Sequence, residues 1–356
     1  MKLGVYAIAK NEAKHVKRWL DATEDADFRL VADTGSTDDT VKLLNLESRK
    51  NRKPIIVVQL SIEPFRFDDA RNAALLACPA DADMLLSLDM DEVPEPGFFD
   101  AVRAAWSPDV TRMWHWMDTG YRWRMNRLHA RHGYRWVSPC HEVVVPYGGT
   151  VEHAVLIESV INHQPDNTKS RGQYLPLLEM AVKEAPHDAR MWTYLAREYS
   201  YVKDWPAVFR TVEKALQWDG TPHERGYLCR LAAQDAEQSG TDVLPWLKLA
   251  TSEAPDELES WHALALQHHN DKNWQGVFDA AKKVLTAERK DHYLTEAEVY
   301  EWRMWDLLAV FAYHVGELEM AADAAALAVA ARPDDPRLTE NLGFMEHALR
   351  RALEGP

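Results

Sequence analysis

The sequence predicts a chain of two parts, an α/β domain with a mostly parallel sheet followed by an all-helical repeat domain. Short apolar runs alternate with helical patterns over residues 1 to about 165, as in strand–helix–strand units. From about residue 170 the pattern becomes helical, and a tryptophan-led segment recurs after 69 residues. The chain has 356 residues, enough for two cores, and we place the domains at 1–168 and 169–356.

Strands and helices alternate in the first part. Apolar runs predict strands at Leu3–Ala9, Arg29–Ala32, Ile55–Leu60 and Met84–Leu88. Amphipathic patterns predict helices at Ala13–Leu20, Thr37–Glu47 (capped by Ser36 or Thr37) and Asp68–Leu76. Polar clusters follow three of these strands, and ligands of such sheets bind at the carboxyl ends of the strands. The sequence therefore predicts a binding site at that edge.

An acidic cluster ends the fourth predicted strand, where Asp89, Asp91 and Glu92 follow Leu88. Alternation along a strand puts Asp89 and Asp91 on one face. Two like charges held together favour a hard divalent cation as their partner. A solvated turn is the alternative.

A second cluster follows the second strand, where Asp33 precedes Gly35 and a helix start. With Asn11 and Glu12 on the neighbouring strand, Asp33 is placed to accept hydrogen bonds from a base or a ribose. Neither a dinucleotide fingerprint nor a phosphate-binding Gly-Lys-Ser/Thr loop is present.

Four motifs together resemble family 2 glycosyltransferases. They are Ala9-Lys10-Asn11-Glu12, Asp33-Thr34-Gly35-Ser36-Thr37-Asp38, Phe67-Asp68-Asp69-Ala70-Arg71-Asn72 and Leu88-Asp89-Met90-Asp91-Glu92. The resemblance covers roughly residues 1–165 and implies a GT-A fold, a Rossmann-like domain that binds nucleotide sugars. Peptide S-glycosyltransferases and lipooligosaccharide glucosyltransferases with C-terminal tetratricopeptide regions are the most similar kinds of member.

The resemblance also implies roles for the donor side. Nucleotide-sugar contacts are expected from Ala9, Asn11, Glu12, Asp33, Arg71, Asp89 and Met90, whereas Asn72 is expected to order its loop. Asp91 is expected to ligate Mn2+ or Mg2+, with Asp89 at the metal or its water shell. The metal would stabilise charge on the leaving diphosphate.

The residues that would face the acceptor resemble those of family 2 glycosyltransferases less closely. The segment Tyr134 to Glu142 resembles the family's Trp-to-His-Glu stretch, and Glu142 is expected to be the catalytic base, with His141 as the second candidate. His163, after a further apolar run, is expected to be a third metal ligand, and His141 competes for that role. The aromatic and arginine-rich stretch 114–135 is interpreted mainly as a strand pair.

The second part carries repeats. Trp192-x-x-Leu195-Ala196 recurs as Trp261-x-x-Leu264-Ala265, an offset close to twice the tetratricopeptide period of ~34 residues. A degenerate copy, Leu228-x-x-Leu231-Ala232, lies between these two segments, and another copy starts at Trp305. Stacked helix pairs bury their apolar faces together. An irregular helical bundle is the alternative, and residues 338–349 are expected to cap the array.

Composition limits the partners. The net charge of −15 argues against a general polyanion binder. Three scattered cysteines indicate neither a disulfide framework nor a thiolate metal site. No apolar run is long enough for a signal peptide or a membrane span, so we expect a cytoplasmic protein without membrane insertion.

Two functions are predicted on this basis. The first is a metal-dependent, inverting hexosyltransferase that uses a UDP-sugar, with a peptide, a saccharide or a modified DNA base as acceptor. Homodimerisation through the repeats is a further expectation. The alternative is a scaffold for protein–protein interaction, in which a GT-A domain without catalytic activity is joined to the repeats.

Overall fold

A computed structural model describes residues 1–50, 53–120, 122–164, 172–289 and 292–354. The chain divides into two compact units, Met1–Ala181 and Val182–Pro356. Each unit has its own buried apolar cores.

The first unit is built on a mixed sheet of eight strands in the order β3-β2-β1-β4-β7-β6-β10-β5, with β8 and β9 as a separate antiparallel pair. The strands are β1 (Leu3–Ala9), β2 (Phe28–Asp33), β3 (Ile55–Gln59), β4 (Met84–Ser87), β5 (Glu92–Pro94), β6 (Arg112–Asp118), β7 (Arg122–Ala130), β8 (Tyr134–Val137), β9 (Val143–Pro146) and β10 (Ala154–His163). The helices are α1 (Val16–Ala22), α2 (Thr40–Ser48), α3 (Phe67–Ala77) and α4 (Phe98–Ala105).

Strands β1 to β4 form the parallel half of the sheet. Their side chains are almost entirely buried in β1, β2 and β4, as expected for strands covered on both faces. The α/β class is therefore confirmed. The finer assignment to the GT-A fold stays a prediction, because the other half of the sheet mixes parallel and antiparallel pairs.

Six strands, β1 to β4 with β6 and β10, have their carboxyl ends at the same edge of this sheet. Strand β7 is antiparallel to both β4 and β6, and β10 is parallel to β6. The carboxyl ends of β6 and β10 therefore lie on the same side as those of β1, β2 and β4. This edge gathers Asp33, the residues after Ala9 and Ser87, and His163.

Two local predictions in this unit are wrong. Strand β4 ends at Ser87, and Asp89 to Asp91 lie in a turn closed by the Glu92 amide, which donates to the Asp89 carbonyl at 3.0 Å. Strand alternation therefore does not set the directions of Asp89 and Asp91. Helix α2 begins at Thr40 and has Asp39 at its N-cap, so neither Ser36 nor Thr37 is the cap.

The second unit is all helical in the residues described. After α5 (Tyr174–Glu184), which contains the boundary, the helices are α6 (Ala189–Tyr201), α7 (Trp205–Ala215), α8 (Pro222–Ser239), α9 (Leu244–Glu253), α10 (Leu258–Asn270), α11 (Trp274–Ala281), α12 (Met304–Val315), α13 (Leu318–Ala331) and α14 (Pro336–Glu354). A 3-10 turn (Lys282–Leu285) and a π turn (Val299–Arg303) lie between α11 and α12.

The sequence repeat is also a structural repeat. The indole N–H of Trp192 donates to the Pro186 carbonyl at 2.9 Å, and that of Trp261 donates to the Pro255 carbonyl at the same distance. Lys203 and its equivalent Lys272, 69 positions later, both have positive φ, 59° and 58°. The predicted tetratricopeptide-like helix pairs are confirmed, and the terminal helix α14 is longer than expected.

Among the residues described, no helix combines the length and the apolar character that a membrane crossing requires.

Candidate functional site

Arg71 of α3 is the centre of the polar cluster at the carboxyl edge of the sheet. Its Nε donates to Glu142 Oε1 at 2.5 Å, its Nη1 to the Ser87 hydroxyl at 3.0 Å, and its Nη2 lies 2.9 Å from Asp89 Oδ1. The guanidinium also lies over the Trp136 ring, 4.9 Å from its centroid. Each nitrogen of this buried guanidinium therefore has a partner within the protein.

Arg127 of β7 supplies the second cation. Its Nη1 lies 3.0 Å from Asp89 Oδ2 and 2.9 Å from Glu92 Oε1. Glu92 is 3% exposed, and its second oxygen accepts the Asp89 amide at 2.8 Å. Two arginines thus face three carboxylates, which we call the ion-pair cluster: Arg71, Arg127, Asp89, Glu92 and Glu142.

The electrostatics of the cluster follow from burial and pairing. Burial opposes the charged form of Asp89, but Arg71 and Arg127 outweigh it and hold the pKa of Asp89 well below its usual range. Burial also opposes the charged form of Arg71, but Asp89 and Glu142 outweigh it and raise the pKa of Arg71. Burial and the charge of Asp89 raise the pKa of Glu92, although Arg127 opposes them.

A buried network of neutral groups holds the Trp136 ring under Arg71. The Trp136 indole donates to the Tyr6 hydroxyl at 2.7 Å, and that hydroxyl lies 2.9 Å from His129 Nε2. The Asn72 side chain accepts the Trp136 amide and donates to its carbonyl, both at 2.9 Å. Asn72 therefore fixes strand β8 to helix α3.

The loop after β2 is held by the residues expected to bind a nucleotide. Asp33 accepts the amides of Gly35 and Ser36, each at 3.1 Å, and is 2% exposed. Asn11 has a φ of 58°, and its Oδ1 accepts the Thr37 amide at 2.7 Å. The Glu12 amide donates to the hydroxyl of Thr40, the first residue of α2, at 2.7 Å.

The other predicted site residues lie in varied surroundings. Met90 belongs to the apolar core of the first unit, and the Ala9 carbonyl accepts the Thr34 amide at 2.8 Å. His141 has a φ of 48° and stacks on Tyr174, with ring centroids 5.4 Å apart. Thus Glu142 joins the ion-pair cluster, whereas the ring of His141 packs against an aromatic side chain.

Asp91 and His163 meet at the same edge. His163 Nε2 lies 3.5 Å from Asp91 Oδ2, and the contact is made possible by the pairing of β5 with β10. The hydrogen bond that His163 donates to Asp91 raises the pKa of His163, and this outweighs the opposing effect of burial.

The predicted metal ligands do not form one cluster. Both oxygens of Asp89 contact guanidinium groups, so a divalent cation there would have to displace a buried arginine contact. Within the described ranges, one group of at least three His, Cys, Asp or Glu has all its ligand atoms within 4.8 Å, and it lies in the second unit. Asp89, Asp91 and His163 do not fit a shared Mn2+ or Mg2+ as arranged.

The contacts of Arg71 and the role of Arg127 were not predicted from the sequence. Arg127 lies in the stretch 114–135, which was interpreted mainly as a strand pair, and neither Ser87 nor the ring of Trp136 was expected to contact Arg71. The spacing of residues in the sequence gives no signal here, because the contacts join α3, β4, β7 and the segment after β8.

The second unit carries a partly exposed group of rings, which we call the aromatic patch. Trp274 stacks on Phe311, with centroids 5.7 Å apart, and Tyr313 meets Phe344 edge to face at 5.0 Å. Trp274 is 43% exposed and Phe344 is 54% exposed. The patch is formed by His269, Trp274, Phe311, Tyr313, His314 and Phe344.

The solved structures that are similar to part of this chain are repeat proteins. No protein-family model matches the chain, and no curated protein matches it. A MamA protein is 16% identical, covering 45% of this chain and 81% of that one, with a TM-score of 0.34. YrrB, described as a TPR protein with an unusual peptide-binding site, is 14% identical, with coverages of 51% and 84% and a TM-score of 0.33. A TPR repeat-containing protein from Cytophaga hutchinsonii is 10% identical, with coverages of 50% and 66% and a TM-score of 0.37.

These findings correct the resemblance stated above. The similar structures are repeat proteins and none of those named is a glycosyltransferase, so the recognition as a family 2 glycosyltransferase is wrong, as are the enzyme class and the transferase description. The ion-pair cluster gives a physical reason for this correction. Short motifs of acidic residues and arginines can pair with one another as readily as with a nucleotide or a metal ion. The tetratricopeptide-like repeat is confirmed.

Proposed function

We propose that the protein is an interaction scaffold whose repeat unit binds an extended peptide segment of a partner protein. The aromatic patch is the observation that carries this proposal. Large aromatic rings such as Trp274 and Phe344 are costly to leave exposed to water, and exposed apolar surfaces on soluble proteins commonly mark binding sites.

The chemistry of the patch indicates the kind of partner. The Trp274 ring lies nearly parallel to the rings of Phe311 and His314, with interplanar angles of 25° and 23°. Phe311 is buried, so Trp274 and His314 are the rings of this group that are open to a partner. Aromatic faces of this kind pack against proline rings and aliphatic side chains of an extended segment. A peptide with proline or branched aliphatic residues at alternate positions is the expected ligand class.

The α/β unit has a structural role in this proposal. Asp89, Glu92 and Glu142 already contact Arg71 and Arg127, so the charges that a nucleotide diphosphate or a cation would need are satisfied internally. In this proposal the unit is a folded domain stabilised by its own ion pairs rather than a site of turnover.

Selection from a displayed random-peptide library against the full chain tests the proposal. Peptides enriched on the wild-type protein are then synthesised, and their Kd is measured by fluorescence anisotropy. Trp274→Ala and Phe344→Ala should each weaken binding by about 10-fold or more, since aromatic anchors commonly contribute at least ~1.4 kcal/mol. Tyr201→Ala, which removes an exposed ring outside the patch, is the matched control and should leave Kd unchanged.

Two results would overturn the proposal. One is a set of enriched peptides whose Kd is the same for the wild type and both patch variants, or no enrichment at all. The other is release of UDP from a UDP-sugar with Mn2+ that is lost in Asp91→Ala, because turnover would make the α/β unit an active site.

A further inference from the structure

The second unit contains a compact cluster of two histidines and a glutamate. His292 Nε2 lies 2.9 Å from Glu257 Oε2, and the rings of His223 and His292 stack with centroids 3.9 Å apart. Ligand atoms of all three residues lie within 4.8 Å of one another. Glu257 is 8% exposed, so its carboxylate is largely withdrawn from water and faces the imidazoles.

The repeat brings these residues together. His223, Glu257 and His292 are 34 and 35 positions apart, which matches the ~34-residue tetratricopeptide period. His223 lies in the first turn of α8, Glu257 is the N-cap residue of α10, and His292 lies in the segment that precedes α12. Each repeat therefore contributes one side chain at an equivalent level of the stack.

We propose that His223, Glu257 and His292 bind a divalent transition-metal cation of the Zn2+ class. Two imidazole nitrogens and one carboxylate oxygen are a ligand set that zinc accepts with a fourth, open position. Hard cations such as Mg2+ prefer oxygen ligands and are expected to bind more weakly.

The open position has a place in the structure. His223 and Glu257 line a pocket together with Pro222, Ala254, Pro255 and Asp256. A water molecule bound to the cation would extend into this pocket. The nearby Asp256 carboxylate would accept a hydrogen bond from that water.

Binding requires specific changes at the two histidines. The Leu294 amide donates to His292 Nδ1 at 3.2 Å, which places the ring proton on Nε2, where it faces Glu257. Coordination through Nε2 moves that proton to Nδ1 and breaks the contact with the Leu294 amide. The stacked rings must also turn relative to each other, because a metal lies in the plane of each imidazole that binds it.

The bound cation would join three successive repeats. Nearest-neighbour contacts alone stabilise a repeat array, so a ligand set drawn from three repeats adds a longer connection. A cation that binds only the folded protein also stabilises it. We therefore expect the thermal unfolding temperature to rise with Zn2+ and to fall again with a chelator.

Competition with a chromophoric chelator tests the inference on the full chain. The wild type should bind one Zn2+ at this site, and Co2+ in its place should give the visible bands of a four-coordinate ion. His223→Ala and His292→Ala should each weaken binding by more than about 100-fold, a larger loss than is usual when a residue that only hydrogen-bonds to a metal ligand is replaced. Glu257→Gln preserves the shape of the side chain but removes its charge, and it should also weaken Zn2+ binding.

Two matched histidine variants identify the site. His347→Ala removes an exposed histidine of α14, and His163→Ala removes the histidine paired with Asp91, so neither should change Zn2+ affinity. Far-UV circular dichroism in chelator shows that each variant is folded. Unchanged affinity in His223→Ala and His292→Ala, or loss of affinity in His163→Ala, would overturn the inference. Absence of Zn2+ binding by the wild type would do the same.

Discussion

The ion-pair cluster of the α/β unit and two buried carboxylates of the repeat unit are stabilised in different ways. In the α/β unit, Asp89, Glu92 and Glu142 are paired with the guanidinium groups of Arg71 and Arg127. In the repeat unit, Glu224 accepts hydrogen bonds from the Tyr293 hydroxyl at 2.7 Å and the Thr221 amide at 2.9 Å. Glu259 likewise accepts from the Tyr300 hydroxyl and the Glu296 amide, both at 2.9 Å.

The difference shows how each architecture distributes charge. An array of helix pairs offers hydroxyls and amides at regular intervals, so a single carboxylate is satisfied by its neighbouring repeat without a cation. The sheet edge instead brings carboxylates from several loops together, and like charges at that density require buried arginines. The α/β unit should therefore be far more sensitive to the loss of one side chain.

Arg71→Met is expected to have the largest effect. It leaves Asp89 and Glu142 without their shared cation, so the free energy of unfolding should fall by about 3–5 kcal/mol. Urea denaturation followed by circular dichroism measures it. Arg122→Ala, which breaks the exposed pair with Asp118 at a similar 2.9 Å, should cost about 0.2–1 kcal/mol. Equal costs for the two variants would show that burial does not distinguish them.

Tyr293→Phe tests the repeat unit's use of hydroxyls. The substitution removes one donor to Glu224 but leaves the Thr221 contacts, so we expect a loss of about 1.5–3 kcal/mol in the free energy of unfolding. Tyr300→Phe should fall in the same range. Tyr147→Phe, at an exposed ring, should change stability by no more than about 0.5 kcal/mol. A Tyr293→Phe cost above that of Arg71→Met would reverse the comparison.

Trp192→Phe and Trp261→Phe should have nearly equal, smaller effects. Each loses one indole hydrogen bond to a proline carbonyl at 2.9 Å, so each should cost about 0.5–1.5 kcal/mol. The same denaturation experiment should give values that agree within about 0.5 kcal/mol. A larger difference would mean that the repeats are equivalent in geometry but not in energy.

The Asp91–His163 pair should give the smallest effect, and it should depend on pH. The folded-state pKa of His163 is raised by Asp91, so its contribution to stability is complete below the unfolded pKa of ~6.5 and is lost as pH rises through the folded value. The partly exposed pair should contribute less than about 1 kcal/mol. NMR titration of His163 should show a lower pKa in Asp91→Asn, and an unchanged pKa would contradict the assignment.

Local patterns predicted much of the secondary structure. Strand β1 was predicted with its bounds, and Leu195-Ala196 with Leu264-Ala265 correctly indicated equivalent buried positions. Apolar periodicity is a local property, and the backbone responds to it directly. The turn at Asp89 was only the alternative prediction, because it depends on the amide and the side chain of Glu92.

The sequence by itself determined the two-part organisation, the parallel strands and the helical repeat, because each depends on the period of apolar residues along the chain. Only the tertiary structure decided the pairing of Arg71 and Arg127 with Asp89, Glu92 and Glu142. It also decided the meeting of His223, Glu257 and His292. Pairing between charges depends on distance and burial in three dimensions, and neither is specified by the residue types in a short motif.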